Sequence, residues 1–179
     1  MVLRSPSIRR LIIAVLKQIE RAYALFLRAA VLLQPLLLFL IRVYWGWQFW
    51  QTGWGKLTNI SKPIEYFTSL GIPFPVFNAY FIGILEAGGG ILLILGLGSR
   101  LIALPLAVDM IMAYVIADRE ALGSIISEPD KFYNAAPFTF LMASLIILAF
   151  GPGWLSLDTL IMWRRSKKQP VPASLAPAG

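Results

Sequence analysis

Four apolar stretches, each near the roughly 20 residues an α-helix needs to cross about 30 Å of hydrocarbon, dominate this chain. They run from Ala29 to Gln51, Val76 to Leu97, Leu101 to Ala117 and Tyr133 to Phe150. Only 14% of the residues are charged and 58% are hydrophobic, whereas a soluble domain carries about 25% charged residues. Lipid is therefore the main solvent. The sequence predicts an all-α integral membrane four-helix bundle. Gly98, Ser99 and Arg100 leave only a tight turn between the second and third stretches, which makes those two an antiparallel helical hairpin.

Lysine and arginine set the expected orientation, because they collect on the cytoplasmic side of membrane proteins. Of the 16 such residues, eleven fall before the first stretch, in the tight turn or in the C-terminal tail. Lys56, Lys62, Arg119 and Lys131 fall on the opposite side, and Arg42 lies within the first stretch. Both termini are thus expected in the cytoplasm of a cell with an inner membrane of bacterial type. Residues 1–28 place Arg10, Lys17, Arg21 and Arg28 on one narrow helical face and apolar residues largely elsewhere, which predicts an amphipathic interfacial helix. Lys17 breaks the apolar run, and no small-residue cleavage site follows, so a signal peptide is not the reading. Residues 29–160 form the predicted membrane domain. Residues 161–179 are basic and then rich in Pro and Ala without periodicity, and are expected to be disordered.

The net charge of +7 sits at the chain ends beside apolar runs, which points to anionic lipid rather than nucleic acid as partner. With no cysteine and no histidine, the chain cannot run thiol exchange by itself, and it lacks the commonest metal and haem ligand. No metal site and no covalently bound cofactor is expected.

Arg42, Glu86 and Asp109 each fall near the middle of one of the first three stretches. A charge at the bilayer centre costs at least about 2.5–3.5 kcal/mol on insertion scales, so such residues face the bundle interior and pair. One arginine with two carboxylates leaves one negative charge in excess, which makes one carboxyl a candidate to keep a proton. Two readings follow: a staple between helices, or a buried polar site for a head group, a quinone or a proton. Trp45 and Phe49 share the Arg42 face, as does Lys56. These aromatics either belong to an interfacial belt or stack on a flat lipophilic ring. Glu86 lies in a stripe with Gly83, Ala87 and Gly90 that should face another helix. Gly88-Gly89-Gly90 lacks the strand and lysine of a phosphate loop and reads as helix packing. The segment from Thr52 to Pro75 is apolar enough to fold over the outer mouth as a lid. Ser156 and Asp158 are candidate helix caps.

Arg42, the stretch from Gly53 to Lys56, Phe67-Thr-Ser-Leu-Gly-Ile-Pro73, Glu86-Ala-Gly-Gly89, Gly96-Leu-Gly-Ser-Arg100 and Gly151-Pro-Gly-Trp-Leu-Ser-Leu-Asp158 occur in order. As a set they resemble the DoxX family of small four-span membrane proteins, over roughly residues 37–160. The resemblance implies a membrane subunit associated with redox complexes, one relative being part of a thiosulfate:quinone oxidoreductase, or an assembly helper. It makes quinone the expected non-covalent cofactor and a redox-complex protein the expected partner. A homodimer is a further expectation. In this reading Arg42 polarises a carbonyl oxygen, Glu86 or Asp109 exchanges the proton, and Lys56 serves the outer mouth. A non-enzymatic scaffold and a small-solute permease are the alternatives.

Overall fold

The structure is a computed structural model that describes residues 6–166, with side chains from residue 13 to residue 165. The basic residues Arg4, Lys167 and Lys168, the side chains of Arg9 and Arg10, and the expected disorder of residues 167–179 lie outside that range. All regular structure among the described residues is helical: α1 (Pro6–Thr58), α2 (Ser61–Ser69), α3 (Pro75–Leu95), α4 (Ser99–Ile116), α5 (Arg119–Gly123), α6 (Pro129–Asn134), α7 (Pro137–Phe150) and α8 (Leu157–Ser166). Three helices, α1, α3 and α4, are long and apolar enough to cross a membrane; α7 is apolar but has 14 residues. The fourth expected span starts later than Tyr133 because α6 ends at Asn134 and Pro137 opens a new helix. Proline suits the first turn of a helix, where its missing N–H has no partner to lose.

The chain divides into two compact units, residues 1–37 and 38–179. In the first, residues 13–34 are exposed throughout, apolar and charged alike. The second holds everything described below.

Its organising contact is a close antiparallel approach of α1 and α3. Gly46 lies against Gly90 and Gly53 against Gly83, two glycine pairs seven residues apart on each helix. A Cβ on Gly53 would fall 2.7 Å from the Gly83 carbonyl oxygen and collide with the amide nitrogen of Ala87. A Cβ on Gly46 would fall 2.9 Å from the Gly90 carbonyl oxygen. Small residues let helix backbones meet in a membrane, where van der Waals packing drives association. This contact also explains why α1 runs to Thr58, past the expected end of the span at Gln51. Gly53 and Gly55 weaken a helix in isolation, yet Gly53 is where the partner helix packs.

On its other side α3 meets α4, with Leu106 packed beside Gly89. Helix α4 in turn lies along α7, and Leu106, Ala107, Met110, Leu141 and Ile147 form a core completed by Phe49 and Leu93. The α3–α4 turn is a Schellman motif: Leu97 N–H donates to the Leu92 carbonyl (3.0 Å) and Gly96 N–H to the Leu93 carbonyl (3.1 Å). Gly96 takes φ +70° there, a left-handed conformation that favours glycine. Helix α8 extends past the expected boundary at residue 160, capped by the Ser156 hydroxyl, which accepts from Thr159 N–H at 3.2 Å. The segment from residue 118 to 134 contains α5 and α6 and is tied down by Tyr114, whose hydroxyl donates to the Phe132 carbonyl at 2.7 Å.

Gly53→Ala should lower stability by about 1–3 kcal/mol through overpacking. Gly55→Ala, with no neighbouring atom within 4 Å, should be neutral or raise it by about 0.5–1 kcal/mol through helix propensity. Thermal unfolding of both variants in detergent, followed by circular dichroism, checks the contrast.

Candidate functional site

The α1–α3 approach carries the end of α1 alongside the middle of α3, and there Lys56 Nζ meets Glu86 Oε2 at 2.5 Å. Glu86 is 2% exposed. A buried carboxylate without a cationic partner is costly. Glu86 lies ten residues before Gly96 and Asp109 ten after Ser99, so each stands about 15 Å from the hairpin turn. Matched depth brings Asp109 beside the ion pair. Its Oδ2 is shut away from solvent and has no hydrogen-bond partner.

Lys56, Glu86 and Asp109 share one cavity of about 330 Å³. That is within the usual range for small-molecule sites. Pro63, Tyr66, Phe67, Leu70 and Ile72, from α2 and the turn after it, form one wall. Ile82, Met110, Met112, Ala113 and Ile116 form another, Pro137 and Phe140 a third, and Asp118 adds one more carboxyl group. The lining is apolar apart from these charges, Thr52 and Tyr66. Of the segment 52–75, residues 52–58 are part of α1, and α2 with its following turn lines the cavity.

Arg42 lies elsewhere. It precedes Lys56 by 14 residues on the same helix, about 21 Å away along the axis. At 1% exposure it donates to the Pro152 carbonyl (2.6 Å) and to the Leu155 carbonyl, clamping the segment between α7 and α8. A Cβ on Gly96 would fall 2.6 Å from its Nη1. The Asp158 carboxylate acts on Arg42 electrostatically and accepts from the amides of Gly98 (2.8 Å) and Ser99 (3.1 Å). Asp158 thus caps α4, not its own helix, and an anion is favourable at a helix N-terminus. The three mid-span charges do not meet as one group. Lys56, Glu86 and Asp109 do, and Arg42 belongs to the opposite end of the bundle. Arg42 looked central because the span seemed to end at Gln51; with α1 running to Thr58 it is near one end.

Trp45 and Phe49 do not line the cavity either. Both pack edge-on against Phe140, at centroid distances of 5.0 and 4.8 Å, and Phe140 presents to the cavity. They support the wall rather than form it. Asp118 and Tyr66 were not singled out from the sequence. Both sit beyond the ends of the expected spans: α2 brings Tyr66 to the cavity, and Asp118 reaches it from the turn between α4 and α5.

The family model described as DoxX matches residues 37–119. The chain carries a DoxX domain. The match contains the glycine pairs, the Lys56–Glu86 ion pair and Asp109, and stops before α6 and α7. CatD of Bacillus subtilis strain 168, provisionally named an oxidoreductase, is 29% identical over 124 residues, covering 68% of this chain and 84% of CatD. Rv3486 of Mycobacterium tuberculosis, named an uncharacterized membrane protein, is 33% identical over 103 residues, covering 51% of this chain and 60% of that protein. No solved structure matches significantly. The chain is a membrane protein with a DoxX domain.

Lys56→Met should destabilise the protein more than the double change Lys56→Met with Glu86→Leu, because the single variant leaves a buried carboxylate unpartnered. Arg42→Gln should raise hydrogen–deuterium exchange in residues 152–158 while leaving α2 unchanged. Exchange mass spectrometry of both regions reads the separation of the two sites directly.

Proposed function

We propose that this DoxX-domain protein is a redox-associated subunit of a cytoplasmic membrane, and that its cavity holds the head group of a quinone-like lipophilic molecule. The observation that carries this reading is the placement of one cation and three carboxyl groups on the wall of an otherwise apolar cavity inside a membrane protein. Such a cavity suits an amphiphile with a small polar head: apolar walls bury the body and a few polar groups orient the head.

The chemistry available is proton exchange. Oxidation of a hydroquinone to a quinone releases two protons and two electrons. Glu86 and Asp109 can accept or return a proton at the head group, and Lys56, held by Glu86, keeps the local charge low. The group is neutral when one of the two carboxyls keeps its proton. Polarisation of an oxygen falls to Lys56, since Arg42 is engaged with backbone carbonyls at the other end. The electrons go to the cofactor of a partner protein, because this chain brings neither cysteine nor histidine to hold one. The name of CatD as an oxidoreductase supports the redox class.

Basic residues concentrated at the termini and the α3–α4 turn support a topology with both ends in the cytoplasm. The cavity, α2 and α5 then face the opposite side. A scaffold or assembly role is the second reading. It draws on Arg42, whose described hydrogen bonds all go to the chain itself and so fix its fold rather than a ligand.

Mass spectrometry of lipophilic molecules that co-purify in mild detergent tests the first reading. A near-stoichiometric quinone or hydroquinone in the wild type, lost in a folded Glu86→Gln variant, is expected; bulk phospholipid alone in both samples overturns it. Topology is checked separately. A single cysteine placed by Ser69→Cys in this cysteine-free chain should react with an impermeant maleimide added to spheroplasts. One placed by Arg165→Cys should react only after permeabilisation.

A further inference from the structure

The cavity's hydrogen-bonding groups are unequal in what they have left to offer. Lys56, its one cation, already donates to Glu86 at 2.5 Å. The Thr52 hydroxyl donates within its own helix, toward the carbonyls of Phe49 (3.0 Å) and Gln48 (3.1 Å). Tyr66 is half-exposed at the rim. Acceptors, in contrast, are in surplus. Glu86, Asp109 and Asp118 all line the space, and Asp109 Oδ2 is buried and accepts no hydrogen bond. A buried acceptor without a donor is costly, and a ligand that supplies the donor removes that cost.

We infer that this cavity discriminates by hydrogen-bond direction: it takes the hydroxyl-bearing form of its head group, a hydroquinone or similar phenol, in preference to the carbonyl-only form, with Asp109 as the specificity-determining acceptor. The inference rests on the ligand reading proposed above. A quinone offers only acceptors, which the remaining N–H groups of Lys56 can meet, but it leaves the buried Asp109 oxygen without a donor. A hydroquinone offers two O–H donors to a wall with free carboxyl oxygens. A proton kept by one carboxyl does not reverse this, because the carboxylate beside it can share that proton and oxygens remain to accept. Anionic head groups are disfavoured by three carboxyl groups facing one lysine. The apolar walls set no such preference, since the two redox forms share one ring and one tail.

The test is a pair of binding titrations in detergent under anaerobic conditions, using a decyl-tailed benzohydroquinone and its quinone, with wild type and Asp109→Asn. The wild type should bind the hydroquinone about tenfold more tightly, the size of one hydrogen bond to a charged acceptor. Asparagine keeps the shape but adds an N–H₂ donor, so the ratio should fall to near one, largely by a gain in quinone affinity. Equal binding of the two forms by the wild type, tighter quinone binding, or a ratio unchanged in Asp109→Asn overturns the inference while the ligand reading stands. Failure of the wild type to bind either form overturns both. Wild-type selectivity is decisive even if the variant does not fold.

Discussion

The glycine-to-glycine approach of α1 and α3 is the constraint on which the rest of the structure depends. Gly46 and Gly53 on one helix, facing Gly90 and Gly83 on the other, let two backbones come closer than any side chain would permit. Closeness of that kind fixes register as well as distance. With Gly53 seated against Ala87 and Gly83, Lys56 has little freedom except to lie beside Glu86. The polar site is therefore a consequence of backbone packing one turn away. The ion pair in turn makes burial of Glu86 tolerable, because a lone carboxylate in a low-dielectric interior would be costly.

The two ends of the bundle divide the work. At the end bearing the α3–α4 turn, buried charge is used to hold chain against chain: Arg42 grips the carbonyls of residues 152 and 155, and Asp158 caps α4. Every donor and acceptor named there is supplied by the protein itself. At the other end, α2 stands away from the core and leaves a space whose apolar walls and spare carboxyl oxygens are not satisfied from within. At the Arg42 end, Arg42 Nε and Ser99 Oγ have no hydrogen-bond partner, so it is the space beside Asp109 Oδ2, and not an unpartnered atom alone, that leaves room for a ligand.

Some relations were legible in the residues alone. The stripe of Gly83, Glu86, Ala87 and Gly90 is helical spacing of small side chains, and it is buried as such. The tight hairpin followed from Gly98-Ser99-Arg100, and the match in depth between Glu86 and Asp109 followed from counting outward from that turn. Lys56 was legible as sharing a helical face with Arg42, since 14 residues return the helix nearly to the same angle. Its partner was not, because angular position says nothing about depth, and depth depended on where α1 ends. That boundary was misplaced: Gly53 and Gly55 resemble a helix stop by local propensity, and tertiary packing overrode the propensity.

Residue types and their spacing are enough to make this chain helical, to make lipid its solvent, and to mark which residues are too polar to face that solvent. These follow from composition and period, which are properties of single segments. Only the tertiary structure decided that Arg42 braces one end while Lys56 completes the polar site at the other, that Trp45 and Phe49 stand behind Phe140, and that α2 brings Tyr66 to the rim. Each of these is a relation between segments distant along the chain, fixed by which surfaces can come into contact. In this protein the glycines determine that, by what they lack.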